Sequence, residues 1–228
     1  MQIDDIVAEM EDELEWRLNE IKLLKNNITK IKKKDEKDRC RKALIVMLYS
    51  HFEGFYKTCL LIYINAINNL QILIREANIN LATISMEHVL NQYDDINKKS
   101  KIFKKKFPDD SKLHKLARRV DLVNGFNMFL NEKLIIKDSV IEFDSNLNYN
   151  VLQKNLYKIG VNHDCFKKYQ NDINTLVNYR NSIAHGQLRS GIEEKEYLNL
   201  ENSVREVMKG VIRKLSQNLI EGAYKRAK

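Results

Sequence analysis

One proline and seven glycines in 228 residues leave the chain few places to break a helix or turn sharply. A sandwich or barrel of short strands needs such punctuation about every ten residues, so the shortage favours long helices. Cysteine is also scarce. Cys40, Cys59 and Cys165 are far apart and odd in number, which argues against a disulfide framework and points to a reducing compartment, with the cytoplasm expected. There is no long uninterrupted apolar run. The most apolar stretch, residues 43–64, is broken by His51, Glu53 and Lys57, and a membrane span of about 20 residues would not bury those groups cheaply. No membrane role is therefore expected. The first residues, with Asp4, Asp5, Glu9 and Glu11, lack the basic start and apolar middle of a secretion signal.

Further shortages restrict the chemistry. No glycine-rich phosphate loop is present, and no turn suited to a serine or cysteine nucleophile stands out. The five histidines, His51, His88, His114, His163 and His185, have no second histidine or carboxylate cluster at ligand spacing. No metal site and no cofactor are expected.

What is present is mostly helical pattern. Residues 3–31 place Ile3, Ile6, Val7, Met10, Leu14, Leu18, Ile21, Leu24 and Ile28 on one stripe. Further helices are predicted over about 38–76, 83–96, 111–134, 145–159, 164–185 and 193–224. Asn78 to Asn80 should end the second, Ser145 to Asn148 cap the fifth, and Gly160 and Gly186 close the fifth and sixth. Alternating Ile136, Val140, Ile141 and Phe143 predict a small hairpin over 134–144. No internal repeat occurs, and nothing marks a boundary between two cores. The expectation is one all-α domain over residues 1–228, an antiparallel helical bundle of four or five main helices.

The formal net charge of +8 is concentrated in one place. Between Lys98 and Arg119 stand ten basic residues, Lys104, Lys105, Lys106, Arg118 and Arg119 among them, against Asp109 and Asp110 alone. That surplus equals the net charge of the whole chain. A basic run that also carries Phe103 and Phe107 is suited to neutralising a polyanion and stacking an unpaired base; the alternative is a solvated loop around Pro108. RNA is the partner expected for Lys104, Lys105, Lys106, Arg118 and Arg119.

The segment Leu176-Val177-Asn178-Tyr179-Arg180-Asn181-Ser182-Ile183-Ala184-His185-Gly186 carries the strongest chemical signal. At roughly 100° per residue, Ile173, Leu176, Val177, Arg180, Ile183 and Ala184 share a stripe, so an arginine stands among core positions. A guanidinium keeps its proton, and burying it requires a carboxylate, a phosphate or a wet cleft. Glu53, between Tyr49 and Tyr56 in the most apolar helix, is the expected ion-pair partner.

Arg180, four intervening residues and His185 resemble the Arg-to-His signature of the HEPN superfamily, including the polar Asn181 after the arginine. The fuller string around it resembles the MAE-like and RiboL-PSP-type branches. So does Tyr49-Ser50-His51-Phe52-Glu53-Gly54-Phe55-Tyr56-Lys57, which is similar to the aromatic segment of their first long core helix. A third block, Asp144-Ser145-Asn146-Leu147-Asn148 with Val151-Leu152 and Ile159-Gly160, is similar to their connector into the next helix. Together the blocks reach from about residue 40 to 190.

The resemblance implies a metal-independent endoribonuclease. Arg180, Asn181 and His185 would be catalytic, Glu53 and Ser182 supporting, and Tyr179 with Phe52, Phe55 and Tyr56 core. HEPN ribonucleases generally pair two domains so that two motifs face one cleft, and with one motif per chain a homodimer is implied. The family also implies a toxin or effector role in prokaryotic defence or stress, with an antitoxin or defence-system protein as partner. One departure is evident: where HEPN toxins controlled by a nucleotidyltransferase commonly carry a tyrosine two residues after the histidine, this chain has Gln187, so control by modification there is not implied. The competing reading is a HEPN module that dimerises or binds RNA without cleaving it.

Overall fold

A computed structural model describes residues 2–103, 105–143 and 146–226. Among these residues the regular elements are helices: α1 (Ile3–Thr29), α2 (Lys34–Asn69), α3 (Ile79–Ser85), α4 (Glu87–Asp94), α5 (Ser111–Leu130), α6 (Tyr149–Lys158), α7 (Gln170–Ala184) and α8 (Glu194–Ile220). No described helix is long and apolar enough to cross a membrane. The three long helices start with acids, Asp4 and Asp5 in α1, Asp35 and Glu36 in α2, Glu194 and Glu196 in α8, where the helix dipole favours negative charge.

The centre is α2. Its Tyr49, Phe52, Phe55, Tyr56, Cys59, Leu60 and Tyr63 are wholly buried, and it packs against α1, α7 and α8, while α8 also packs against α1 and α7. This gives a four-helix bundle with α2 and α8 on the inner diagonal, and α6 joins through Leu152 and Leu156, both fully buried. Two aromatic hydroxyls at the centre of this core find partners: Tyr56 donates to the Leu152 carbonyl at 2.8 Å and Tyr63 to Asn218 Oδ1 at 2.7 Å. Burial keeps both phenols protonated by raising their pKa, so these donors hold across the physiological range.

Several boundaries move from their predicted places. The second helix stops at Asn69, before the expected break, because Gln71 takes a left-handed backbone (φ 53°) and Ile74–Glu76 forms a separate short turn. The motif helix begins at Gln170 and not at 164, after a turn and a short 3-10 segment. Asn148 does cap α6, accepting from the Val151 amide at 3.0 Å. Gly160 and Gly186 both take left-handed conformations, at φ 73° and 67°, as helix-closing residues do.

The hairpin expected over 134–144 is not formed among the described residues. Its alternation does correspond to burial, with Leu134, Ile136 and Ile141 inside and Ile135 outside. Their backbone partners, however, lie elsewhere. Leu134 N–H donates to the Ile72 carbonyl at 2.8 Å and Ile74 N–H to the Glu132 carbonyl at 2.9 Å, while the Asn68 side chain clasps Ile136. A 3-10 turn at Asp138–Val140 takes up the remainder. Period-two burial identifies an extended segment without naming what it pairs with.

Candidate active site

The end of α7 is held against α2 by Ile173, Leu176 and Val177, all buried. Past them the helix emerges, and its last turn presents the motif. Arg180 is half-buried, as its place on the apolar stripe requires, and Asn181 and Ser182 are half-buried beside it, while His185 is exposed.

The Arg180 guanidinium lies over the Tyr49 ring, 4.7 Å from its centroid, where the negative face of the aromatic system attracts a cation. One terminal nitrogen, Nη1, donates to Asn146 Oδ1 at 3.0 Å and to Asn181 Oδ1 at 2.8 Å. Its remaining N–H groups take no partner among the described residues. An arginine carries five donors in a rigid fork, so this one is anchored at one corner with its other edge free to receive an anion.

Glu53 does not form the expected ion pair with Arg180. Its Oε1 accepts from the Tyr49 hydroxyl at 2.7 Å, and the same hydroxyl accepts from the Leu147 amide at 2.8 Å. Tyr49 therefore stands between the two charges. Burial and the bond to Glu53 hold the phenol well above its usual range, which keeps it a donor to the carboxylate. The spacing accounts for the change: residues 49 and 53 are one helical turn apart, so the carboxylate meets a hydroxyl on its own helix sooner than a guanidinium on another.

Tyr49 and Asn146 belong to this site although the sequence assigned them no chemical role. Tyr49 was legible as a carboxylate partner from its i, i+4 relation to Glu53. Asn146 was not, since it comes from the connector before α6, 34 residues before Arg180 in the chain, and only folding brings it there. Asp144 and Ser145, which precede it in the connector, lie outside the described residues.

His185 is the residue just past α7. Its amide bonds back to the Asn181 carbonyl at 2.9 Å, and Gly186 N–H and Gln187 N–H return to the carbonyls of Ile183 and Ser182. These bonds fix the backbone, whereas the imidazole has no hydrogen-bond partner among the described residues. Ser182 likewise contributes its carbonyl, accepting from Gln187 and Leu188, and not its hydroxyl. Tyr179, half-buried, donates to Glu196 at the start of α8, while Phe52, Phe55 and Tyr56 are core.

The basic segment is built differently. Lys104 lies outside the described residues; Lys105, Lys106 and Arg119 are exposed. Arg118 is a correction: it is buried, with Nε on the Tyr93 carbonyl and Nη1 on the Lys98 carbonyl, both at 3.0 Å. Two carbonyls at the loop's entrance claim its fork, so it fastens the loop and is not available to a phosphate. His114, also buried, accepts from the Ser100 amide at 3.0 Å and faces the Pro108 carbonyl at 3.3 Å. Phe103 and Phe107 lie against each other, 6.0 Å between centroids. The loop is thus pinned from within while Lys105 and Lys106 face water.

Among the described residues no group of three or more His, Cys, Asp or Glu side chains could hold a metal ion, and the three cysteines are free. No curated protein and no solved structure matches the chain. The model of the family described as RiboL-PSP-HEPN matches residues 12–217, a stretch containing the Tyr49-to-Lys57 block, the connector and the Arg180-to-His185 motif. The chain belongs to the RiboL-PSP-HEPN family of the HEPN superfamily.

Proposed function

We propose that the protein is a metal-independent endoribonuclease acting through a pair of Arg180-to-His185 motifs. Family membership points to nuclease or RNA-related function in general. The observation that carries the finer reading is the contrast at the end of α7, an arginine anchored on Tyr49, Asn146 and Asn181 with part of its fork unused, and a histidine with its ring free.

RNA cleavage without a metal needs few parts. A base takes the proton of the ribose 2′-hydroxyl, and the oxygen attacks the adjacent phosphorus. The 5′-oxygen leaves and takes a proton from an acid, and a cation offsets the charge that builds on the non-bridging oxygens. The products are a 2′,3′-cyclic phosphate and a 5′-hydroxyl. His185 suits the proton transfers and Arg180 the charge, with Asn181 orienting its fork. A single chain supplies one such histidine, so base and acid are provided by two copies, and the exposed helix end carrying His185 is accessible to a second copy. Lys105, Lys106 and Arg119 suit the approach of a polyanion. A toxin or effector of defence or stress response, acting in the cytoplasm and restrained by an antitoxin or another defence-system protein, is the physiological role that accords with this chemistry.

The test is incubation of the purified protein with single-stranded RNA in EDTA, followed by end-group analysis. Fragments ending in a 2′,3′-cyclic phosphate are expected. Absence of cleavage with and without divalent ions would leave the non-catalytic dimerisation or RNA-binding module as the better reading.

A further inference from the structure

Two features of the fold remain unused by this chemistry, and they complement each other. The first is the outer face of α5. It turns His114 and Arg118 inward and leaves Leu116, Val120 and Val123 outside, 56%, 48% and 72% exposed. These residues fall at i, i+4 and i+7, forming one continuous stripe. Lone exposed apolar side chains are ordinary, but a stripe on the face opposite a helix's own packing is the pattern of an interaction surface.

The second feature is a groove of about 1320 Å³ between α1 and α8. The apolar stripe of α1 is wider than the face it buries: Ile6, Met10 and Ile21 go into the core, whereas Val7, Leu14 and Leu18 line the groove together with Ile212 and Ile220 of α8. The groove is polarised overall. Glu11, Glu15 and Glu221 stand toward one end with the single cation Arg213, and Lys22, Lys25, Arg205 and Lys209 toward the other, where Lys25 reaches the buried Glu201 at 2.6 Å. Glu11 and Glu15 have no ion pair among the described residues.

We propose that α5 of one copy of the chain docks in the α1/α8 groove of a second copy. Length agrees: the groove follows α1 from Val7 to Asn26, and α5 has 20 residues, each spanning about 30 Å at the helical rise. Shape agrees, because a convex helical ridge fills the cleft between two helices. Charge also fixes the direction. The first half of α5 carries Lys112, Lys115 and Arg119, Asp121 follows and is turned to Lys98 at 3.9 Å, and from Leu122 to Leu130 the helix has no charged residue. Its basic half lies at the Glu11 and Glu15 end, its uncharged half over Lys22 and Lys25. The reverse orientation would set lysine against lysine. Leu116, Val120 and Val123 then cover Leu14, Leu18 and Ile212. This contact involves neither α7 nor His185, so it is separable from the catalytic reading; of the basic residues suited to the approach of RNA it takes up Arg119 and leaves Lys105 and Lys106 exposed.

Disulfide trapping tests it in the full-length protein with Cys40→Ser and Cys165→Ser as background. One preparation carries Leu18→Cys and another Val120→Cys, and oxidation is followed in each alone and in an equal mixture of the two. A covalent dimer forming at least about tenfold faster in the mixture than in either preparation alone is expected, with the 18-to-120 linkage identified by peptide mapping. In parallel, Val120→Asp, at a half-exposed position that does not threaten folding, is expected to lower the weight-average mass in sedimentation at micromolar concentration. Linkage confined to the Val120→Cys preparation would mean that α5 packs on α5 and would overturn the proposal. So would unchanged mass with no mixed linkage, or a Val120→Asp variant of unchanged mass that binds single-stranded RNA more weakly, which would assign the stripe to nucleic acid.

Discussion

The bundle of α1, α2, α7 and α8 and the arm made of α4, the basic loop and α5 come from one chain but solve different problems. In the bundle, apolar residues are used for enclosure: seven residues of α2 from Tyr49 to Tyr63 are wholly buried. The half-buried Arg180 is tolerated there because an aromatic face and two side-chain amides surround it. In the arm, the inner contacts mix apolar groups such as Val89 and Phe129 with the polar His114 and Arg118, which bind backbone, and large apolar groups also face out. The bundle holds Arg180 in place and presents His185 at the end of α7, whereas the arm offers surface. Chemistry that depends on positions within about half an ångström belongs on the rigid elements, and diffuse electrostatic attraction can be left to the loop.

The widest gap between the two regions should be in stability. Phe55→Ala in the bundle should cost about 3–5 kcal/mol, as truncation of a buried aromatic does, while Val123→Ser on the arm should stay within about 0.5 kcal/mol. Urea denaturation of both variants would reveal it, and comparable losses would mean that α5 is part of the core. Next in size is Tyr49→Phe. It removes a hydroxyl that serves both Glu53 and the Leu147 amide, leaving polar groups without partners at a cost of about 1–3 kcal/mol. RNA cleavage in that variant should fall along with stability, since the arginine's platform is linked to Glu53 through this ring; cleavage at the original rate would show that the platform alone suffices.

How legible these regions were from sequence follows the same division. The helices of the bundle, the caps at Asn148, Gly160 and Gly186, and the core role of Phe52, Phe55 and Tyr56 depend on local periodicity and backbone preference, which a sequence carries directly. The position of Arg180 on an apolar stripe was legible for the same reason. Its partner was not. Glu53 was the electrostatically obvious choice, yet which of Tyr49, Glu53 and Asn146 reaches the guanidinium depends on side-chain length and on a connector distant in the chain. Arg118 misled in the opposite way. A lysine-rich run makes every cation resemble a phosphate ligand, and only the loop's path brings the Tyr93 and Lys98 carbonyls within reach of this one. Likewise the α1 stripe reads as uniformly core, and its division between core and groove depends on where α8 lies.

A smaller effect concerns the arm's charge. Replacing Lys105 and Lys106 by alanine should leave stability unchanged and flatten the salt dependence of RNA binding by up to about 0.7 in log–log slope for each phosphate no longer neutralised. Filter binding between low and moderate salt measures it, and an unaltered slope would leave these lysines as solvation alone.

The smallest effect is on pH and belongs to the bundle. His51 is buried, which lowers its pKa from the usual 6.5; nearby Glu20 opposes the shift and Arg17 adds to it. Glu20 Oε2 stands 3.1 Å from Nε2 but is not aligned for a hydrogen bond. The unfolded chain then binds a proton on this residue more readily than the folded one, so stability at neutral pH should fall as pH drops below about 6.5 and through the lowered folded value. His51→Gln should flatten that part of the profile. A profile identical to that of the parent protein would assign the acid sensitivity to carboxylates.

The ribonuclease reading depends above all on His185, free at the end of α7, as the group that transfers the proton. His185→Ala should keep the parent's helical circular dichroism and unfolding midpoint, because an exposed side chain past the helix end contributes little packing. Cleavage of single-stranded RNA in EDTA should fall by roughly 10²- to 10⁴-fold, the usual worth of general acid–base catalysis. A folded His185→Ala protein that cleaves at the parental rate would contradict that role.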